Sequence, residues 1–453
     1  MACWLPVTQA HTAMKKNYCL LLAIFSLFLI CPARGQDSLG NTRLSLTEAF
    51  QLALQNSVRL KIRHSEVDLA KQQTKIQQLA QLPDLSAGLS YGYLSNSDNW
   101  SSDFSRHQKV ALPHHLTLFS VQASEIIYAG GRISNAIRRS GLEEQIAFLT
   151  LEKDETDIKF LVAAQYLDIF RLLNQRQVYL NNTRLAKARL KNILELRRQG
   201  MVTQNDQLRT ELIISDYELS ARKIGNSIAQ LNNQLNIVLG LPDTSRIIPD
   251  TTLIQQAGLS IRLDSVLDAA YKDNHELHIS QKERDIAETN IRLIKGERLP
   301  TLALFSESDL QRPFLNTAPA IDIYYNVWRA GISLRYDISS IYRSPRKIRA
   351  GYLQMDLTRQ KDSLTRQNVE VEVRNVLIKY NEGLDELQTY QRDLRSAEEN
   401  YRIVENRYFN KLALLTDLID ATNTKIEAEL KVTNAVINVV YNYYQLQKSI
   451  GSL

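Results

Sequence analysis

The chain has 453 residues, 23% of them charged and 44% hydrophobic, which is the balance of a folded protein. Its net charge of +6 raises a nucleic-acid partner, but lysines and arginines are interspersed with acids and no basic run stands out, so a solvated mixed-charge surface is the better reading. All three cysteines (Cys3, Cys19, Cys31) lie in the first 31 residues, which excludes disulfides and thiol chemistry from the rest of the chain.

The first 35 residues read as a secretory signal peptide. Lys15 and Lys16 follow Met14, an apolar core runs from about Cys19 to Ile30, and Ala33 and Gly35 precede a cleavage point at Gln36. Met14 is as good a start as Met1, and residues 1–13 then form an upstream extension. Cys31 is a candidate for lipidation, but Ile30 and Pro32 around it argue against that. After residue 36 no stretch has some 18 consecutive apolar residues, the length a helix needs to cross a bilayer. A β-barrel needs no such stretch.

Residues 46–80 are expected to form one amphipathic helix, with Leu46, Phe50, Ala53, Leu54, Leu60 and Ile62 at three-four spacing and Ser45 or Thr47 as cap. It must stop at Leu82-Pro83. The period then changes to two. In a strand over 84–94, Leu85, Ala87, Leu89, Tyr91 and Tyr93 alternate with Ser86, Gly88, Ser90 and Gly92. A polar loop over 95–113 contains Trp100. A second strand covers 115–127, with Thr117, Phe119, Val121 and Ala123 on one side. Gly130-Gly131 make a turn, and long helices are expected over 133–198 and 204–239, broken at Gly200. Helices of this length imply a coiled coil or bundle. An irregular link with Pro249 leads on.

The second half repeats this plan: a helix over 263–298, strands over 300–310 and 324–337, a long helix over 346–408 and another over 415–450. In the last strand Asn326, Trp328, Ala330, Ile332, Leu334 and Tyr336 face one way, Arg329 and Arg335 the other. That suits a strand between lipid and a watery lumen, with Tyr91, Tyr93, Trp328 and Tyr336 as membrane-interface aromatics. From Val369 to Tyr408 the apolar positions recur about every 3.5 residues.

Leu46–Leu85 and Leu263–Leu302 align without a gap at an offset of 217, with Leu-Pro near the end of each. The later parts align at an offset of 211, which places Asp206, Leu235 and Gly240 on Asp417, Leu446 and Gly451. We read two repeats, 36–260 and 261–453, each helix, strand, strand, long helix, turn, long helix. The fold class is mainly α with four membrane strands per chain. Four strands cannot close a barrel, and open edges are forbidden in lipid. Three chains would supply twelve, so the pattern predicts a homotrimer.

The duplicated helix-Leu-Pro-strand unit and the two helical tips resemble the TolC family of outer membrane efflux proteins over essentially the whole mature chain. The second tip carries the most specific likeness. Arg407-Tyr408 is followed by Thr416-Asp417-Leu418-Ile419-Asp420-Ala421-Thr422, similar to the family's tyrosine and D-x-x-D-A-T run. The resemblance implies a trimeric channel-tunnel with a barrel in the outer membrane and a helical tube across the periplasm. The tube would meet a periplasmic adaptor protein and an inner-membrane pump, and substrates such as drugs, toxic compounds or metals would pass without chemistry. Protein secretion is the rival within this fold, and a secreted coiled-coil structural protein or adhesin is the rival outside it.

By the same resemblance Asp417 and Asp420, with Asp206 and Tyr408, line the periplasmic entrance gate. Three copies of such carboxylates would favour cations. The two aspartates also suit the first turn of a helix, where they meet its dipole. Gly200, Met201, Lys411 and Leu412 are candidates for adaptor contact and equally for plain helix-ending turns. The second tip departs from the family, with Asn410-Lys411-Leu412 where glycine is usual and Ala413 where some members have a latching arginine.

No zinc-protease, dinucleotide, P-loop or serine-hydrolase motif occurs, and no enzyme or cofactor is expected. His114-His115 and the pair His275 and His278 are weak metal candidates, better read as ordinary polar residues.

Overall fold

The computed structural model describes residues 41–250, 262–317 and 319–453. The expected signal peptide, the choice of start and all three cysteines lie outside the described residues.

The first repeat contains β1 (Asn41–Leu44), α1 (Leu46–Asn56), α2 (Val58–Leu79), β2 (Asp84–Tyr93), β3 (Ser97–Trp100), β4 (His107–Val110), β5 (His115–Tyr128), α3 (Arg132–Arg198), α4 (Gln204–Leu239) and β6 (Arg246–Pro249). The second contains α5 (Leu263–Asp273), α6 (His275–Gly296), β7 (Thr301–Arg312), β8 (Tyr325–Arg335), α7 (Ser340–Phe409) and α8 (Leu415–Ile450). At 1.5 Å per residue α3 and α7 each run roughly 100 Å. Such helices are stable only because each packs along a partner, α3 with α4 and α7 with α8.

The two cores are built from equivalent positions. In the first, Ala49, Ala53, Ile158, Val162, Leu235 and Leu239 are buried together. In the second, Val266, Ala270, Val369, Val373, Leu446 and Ile450 stand at the matching offsets of 217 and 211. The repeat read from the sequence is thus a repeat of packing.

Four expectations need correction. The helices expected over 46–80 and 263–298 are each broken, at Ser57 and Asn274, which are themselves 217 residues apart. Both have ψ near 120°, which interrupts the helical hydrogen-bond ladder. Asn274 accepts from the N–H groups of Glu276 and Leu277 and starts a new helix, while its amide donates to the Ser449 carbonyl 2.9 Å away. Asn56 donates likewise to the Leu239 carbonyl at 2.7 Å. Each break therefore supplies an amide to the last turn of a long helix, satisfying a carbonyl that a helix end would leave orphaned.

The loop expected over 95–113 contains the β3–β4 hairpin. The link around Pro249 contains β6, which pairs in parallel with β1. Finally, α7 starts at Ser340 rather than 346. Pro345 sits in its second turn, where it costs a single ladder bond close to the helix end.

The main sheet has the order β2-β5-β7-β8, antiparallel throughout, so β5 and β7 join the two repeats. The register puts Ser86, Gln122, Glu307 and Arg329 in one row across all four strands. Gln122 donates to Glu307 at 2.9 Å, and Arg329 donates to the same carboxylate at 2.8 Å. The opposite face carries Leu85, Leu89, Phe119, Val121, Leu304, Trp328, Ile332 and Leu334. On this face the Trp328 indole donates to Ser306 Oγ at 3.0 Å. All four junctions with helices lie at one end of the sheet. There Gly130 and Gly296 touch, and a Cβ added to Gly130 would come within 2.6 Å of the Gly296 carbonyl oxygen.

Candidate functional site at the helical tips

Far from the sheet, the α3–α4 and α7–α8 hairpins turn in the same way. In the first, Gly200 has φ +70° and the N–H of Met201 donates to the Leu196 carbonyl at 2.8 Å. In the second, Lys411 has φ +64° and the N–H of Leu412 donates to the Arg407 carbonyl at 2.8 Å. Every position is shifted by 211, and both are six-to-one helix ends with a left-handed residue. Lys411 thus makes the turn that glycine makes elsewhere, at a cost of about 1 kcal/mol because its Cβ crowds the backbone. Met201 and Leu412 are both exposed at these apices.

The following helix starts also correspond. Thr203 caps α4, and Asp206 returns the contact by accepting from the Thr203 N–H at 2.9 Å. Asp417 does the same for the N–H of Leu414, at 2.9 Å. Leu414 has no side-chain acceptor, so this box is half made. The helix-start reading of Asp417 therefore describes a real contact. Asp417 and Asp420 stand one turn apart on α8, both exposed, with no basic group within 4.0 Å among the described residues. The first-turn contact uses one carboxylate oxygen of Asp417 and leaves the rest of the charge free.

Behind the tips, Ile193 of α3 is buried with Tyr401, Tyr408, Leu415 and Leu418 of α7 and α8. Ala413 packs at the edge of this cluster, and its methyl group offers no donor for a latch. Tyr408 is 8% exposed and its hydroxyl has no hydrogen-bond partner among the described residues. Burial raises its pKa, and the Asp206 charge adds to the effect. Asp206 and Tyr408 are thus electrostatic neighbours without a hydrogen bond.

One residue here was missed from the sequence. Arg189 of α3 is 6% exposed and reaches between the second-repeat helices. It donates to the Tyr401 hydroxyl at 3.2 Å and to Thr422 Oγ1 at 3.4 Å. The Tyr401 hydroxyl in turn donates to Glu405. Burial and Glu405 raise the Tyr401 pKa, and Arg189 opposes them. Beside it, Tyr217 of α4 donates to Asn423 of α8 at 3.3 Å. The signal lay in the helical seam: Arg189 falls between Ala186 and Ile193 at three-four spacing, a core position occupied by a cation.

The other sequence candidates lie elsewhere. Tyr91 and Tyr93 are at the end of β2 away from the helices, where Tyr91 hydrogen-bonds His115 at 2.7 Å and Tyr93 stacks on His114. Trp328 is exposed within β8, and Tyr336 is exposed at its helix end. His275 is half-buried beside Glu152, and burial lowers its pKa. Among the described residues no group of three or more histidines, cysteines and acids could hold a metal ion.

Residues 266–452 match the family described as "Outer membrane efflux protein". The chain is 21% identical over 441 residues to Outer membrane protein TolC of Escherichia coli (strain K12), covering 92% of this chain and 84% of that protein. Among solved structures it resembles VceC of Vibrio cholerae, with TM-score 0.76, 14% identity, and coverage of 90% of this chain and 96% of that one. It also resembles the open state of the MtrE outer membrane channel of Neisseria gonorrhoeae, with TM-score 0.71, 16% identity, and coverage of 90% and 88%. At such identities the structures speak for the fold alone. The second repeat thus matches the outer membrane efflux protein family, and the chain as a whole is similar to TolC and shares the fold of solved outer membrane channels.

Proposed function

We propose that three copies of this chain form one duct, a twelve-stranded barrel above a helical tube, and that the duct exports small molecules for an inner-membrane pump joined to it by a periplasmic adaptor. One observation carries the reading. The four-stranded sheet has two free edges, β2 and β8, among the described residues, and lipid does not tolerate unpaired backbone groups. Closure through copies of the same chain removes both edges.

Within that duct, Asp417 and Asp420 narrow the entrance as rings of carboxylates, with Asp206 and Tyr408 beside them. Gly200, Met201, Lys411 and Leu412 meet the adaptor. The two halves, 36–260 and 261–453, act as duplicate staves of the wall. Paired cores at constant offsets support this division.

Deletion of the protein should raise sensitivity to some of a panel of dyes, detergents, antibiotics and metals, and complementation with the intact chain should restore resistance. Unchanged sensitivity together with loss of a secreted protein would replace this reading with the protein-secretion one.

A further inference from the structure

The start of α7 carries Arg343, Arg346, Lys347 and Arg349 within seven residues and no acid among them. This corrects the expectation that no basic run stands out. All four are exposed. Lys347 pairs with Glu297 at 2.6 Å. The three arginines have no carboxylate within 4.0 Å among the described residues. Four cations in the first turns of a helix also oppose its dipole, whose positive end lies there. The arrangement costs stability unless an anion occupies it.

Place and pattern say which anion. The segment follows β8 directly, where the membrane strand hands over to the tunnel helix. Ser340, Ser344 and Thr358 are the buried side of this part of α7. At helical spacing the opposite stripe is Tyr342, Arg346, Arg349 and Leu353, all exposed. Tyr336, Ile338 and Ile341 are exposed on the approach to it. Aromatic and aliphatic groups beside snorkelling cations, at the edge of a membrane strand, form a surface suited to lipid headgroups.

We propose that Arg343, Arg346 and Arg349 bind the phosphates of anionic phospholipid in the periplasmic leaflet, fixing the depth of the barrel. The inference rests on the sheet lying in the membrane and on neither the gate nor the substrate.

The test uses the full chain in a neutral detergent. Its melting temperature is recorded with added phosphatidylglycerol, with phosphatidylcholine, and with inorganic phosphate. Phosphatidylglycerol should raise it by a few degrees and saturate, while the other two should not. The shift should fall by about half or more in Arg343→Gln/Arg346→Gln/Arg349→Gln. It should persist in the tunnel-wall control Lys191→Gln/Arg222→Gln/Lys223→Gln. Each shift is read against that protein's own lipid-free value, which the dipole argument expects to be no lower in the triple variant. The single variants Arg346→Gln and Arg349→Gln should show partial losses and serve if the triple variant does not fold. An equal shift with phosphatidylcholine or with inorganic phosphate overturns the proposal, as does a shift that survives in the arginine variants.

Discussion

The two helical tips have the same backbone and different chemistry. The first uses glycine for its left-handed residue and a complete capping box, Thr203 with Asp206. The second uses Lys411 and keeps half of the box, because Leu414 cannot accept a hydrogen bond. One geometry is therefore held comfortably in one hairpin and under local strain in the other. The strained tip is the one with the two exposed carboxylates. The comparison teaches that the turn is dictated by the paired helices, and that residue choice sets how firmly it is held.

Removing what the tips share should have the largest effect. Leu418 is fully buried in the cluster that ties α3 to α7 and α8. Leu418→Ala should cost about 3 kcal/mol, read as a lower melting temperature. If it is neutral, the tips are not packed together as described.

Next is the ion cluster that fastens α2 to α3, well away from both tips. Asp154 is buried and accepts from Arg59 at 2.6 Å and from Arg63 at 2.6 Å. Burial alone would raise its pKa, but the two arginines outweigh this and hold it below the usual carboxylate value. A lowered folded pKa gives stability that is present above the unfolded value near 3.8 and lost as pH falls below it. Asp154→Ala should cost about 2 kcal/mol, discounted for the partly exposed arginines. It should also flatten the acid limb of the stability profile while leaving both tips unchanged.

Smaller effects separate the tips from one another. Thr203→Ala should cost about 1 kcal/mol, whereas Leu414→Thr should gain a similar amount by completing the second box. Lys411→Gly should stabilise by about 1 kcal/mol, and Gly200→Lys should destabilise equally, since no atom lies within 4 Å of the added Cβ. Hydrogen exchange at residues 407–415 should slow in Lys411→Gly. Equal behaviour of the two tips toward these swaps would remove the contrast.

Much of this was legible in the sequence. The strands announced themselves by strict alternation, as in Tyr325–Arg335, and α4 and α8 span the residues expected for them. The breaks at Ser57 and Asn274 were hidden because the apolar spacing runs on through them, and the capping amides act on helices 183 and 175 residues away in sequence. The β1–β6 pair was hidden because four-residue strands carry almost no periodicity. At the tips, Asp417 and Asp420 could be named from their pattern. Arg189 could not, because a lone arginine in a charged helix looks solvated until its seam is traced through Ala186 and Ile193.

We propose that the Asp417 and Asp420 carboxylates govern passage at the periplasmic entrance. The direct measurement is the reversal potential of the purified protein in a planar bilayer under a salt gradient, with and without a blocking cation. Intact protein should be cation-selective and cation-blocked, and Asp417→Ala with Asp420→Ala should lose most of both. Unchanged selectivity and block in the double variant would contradict the account.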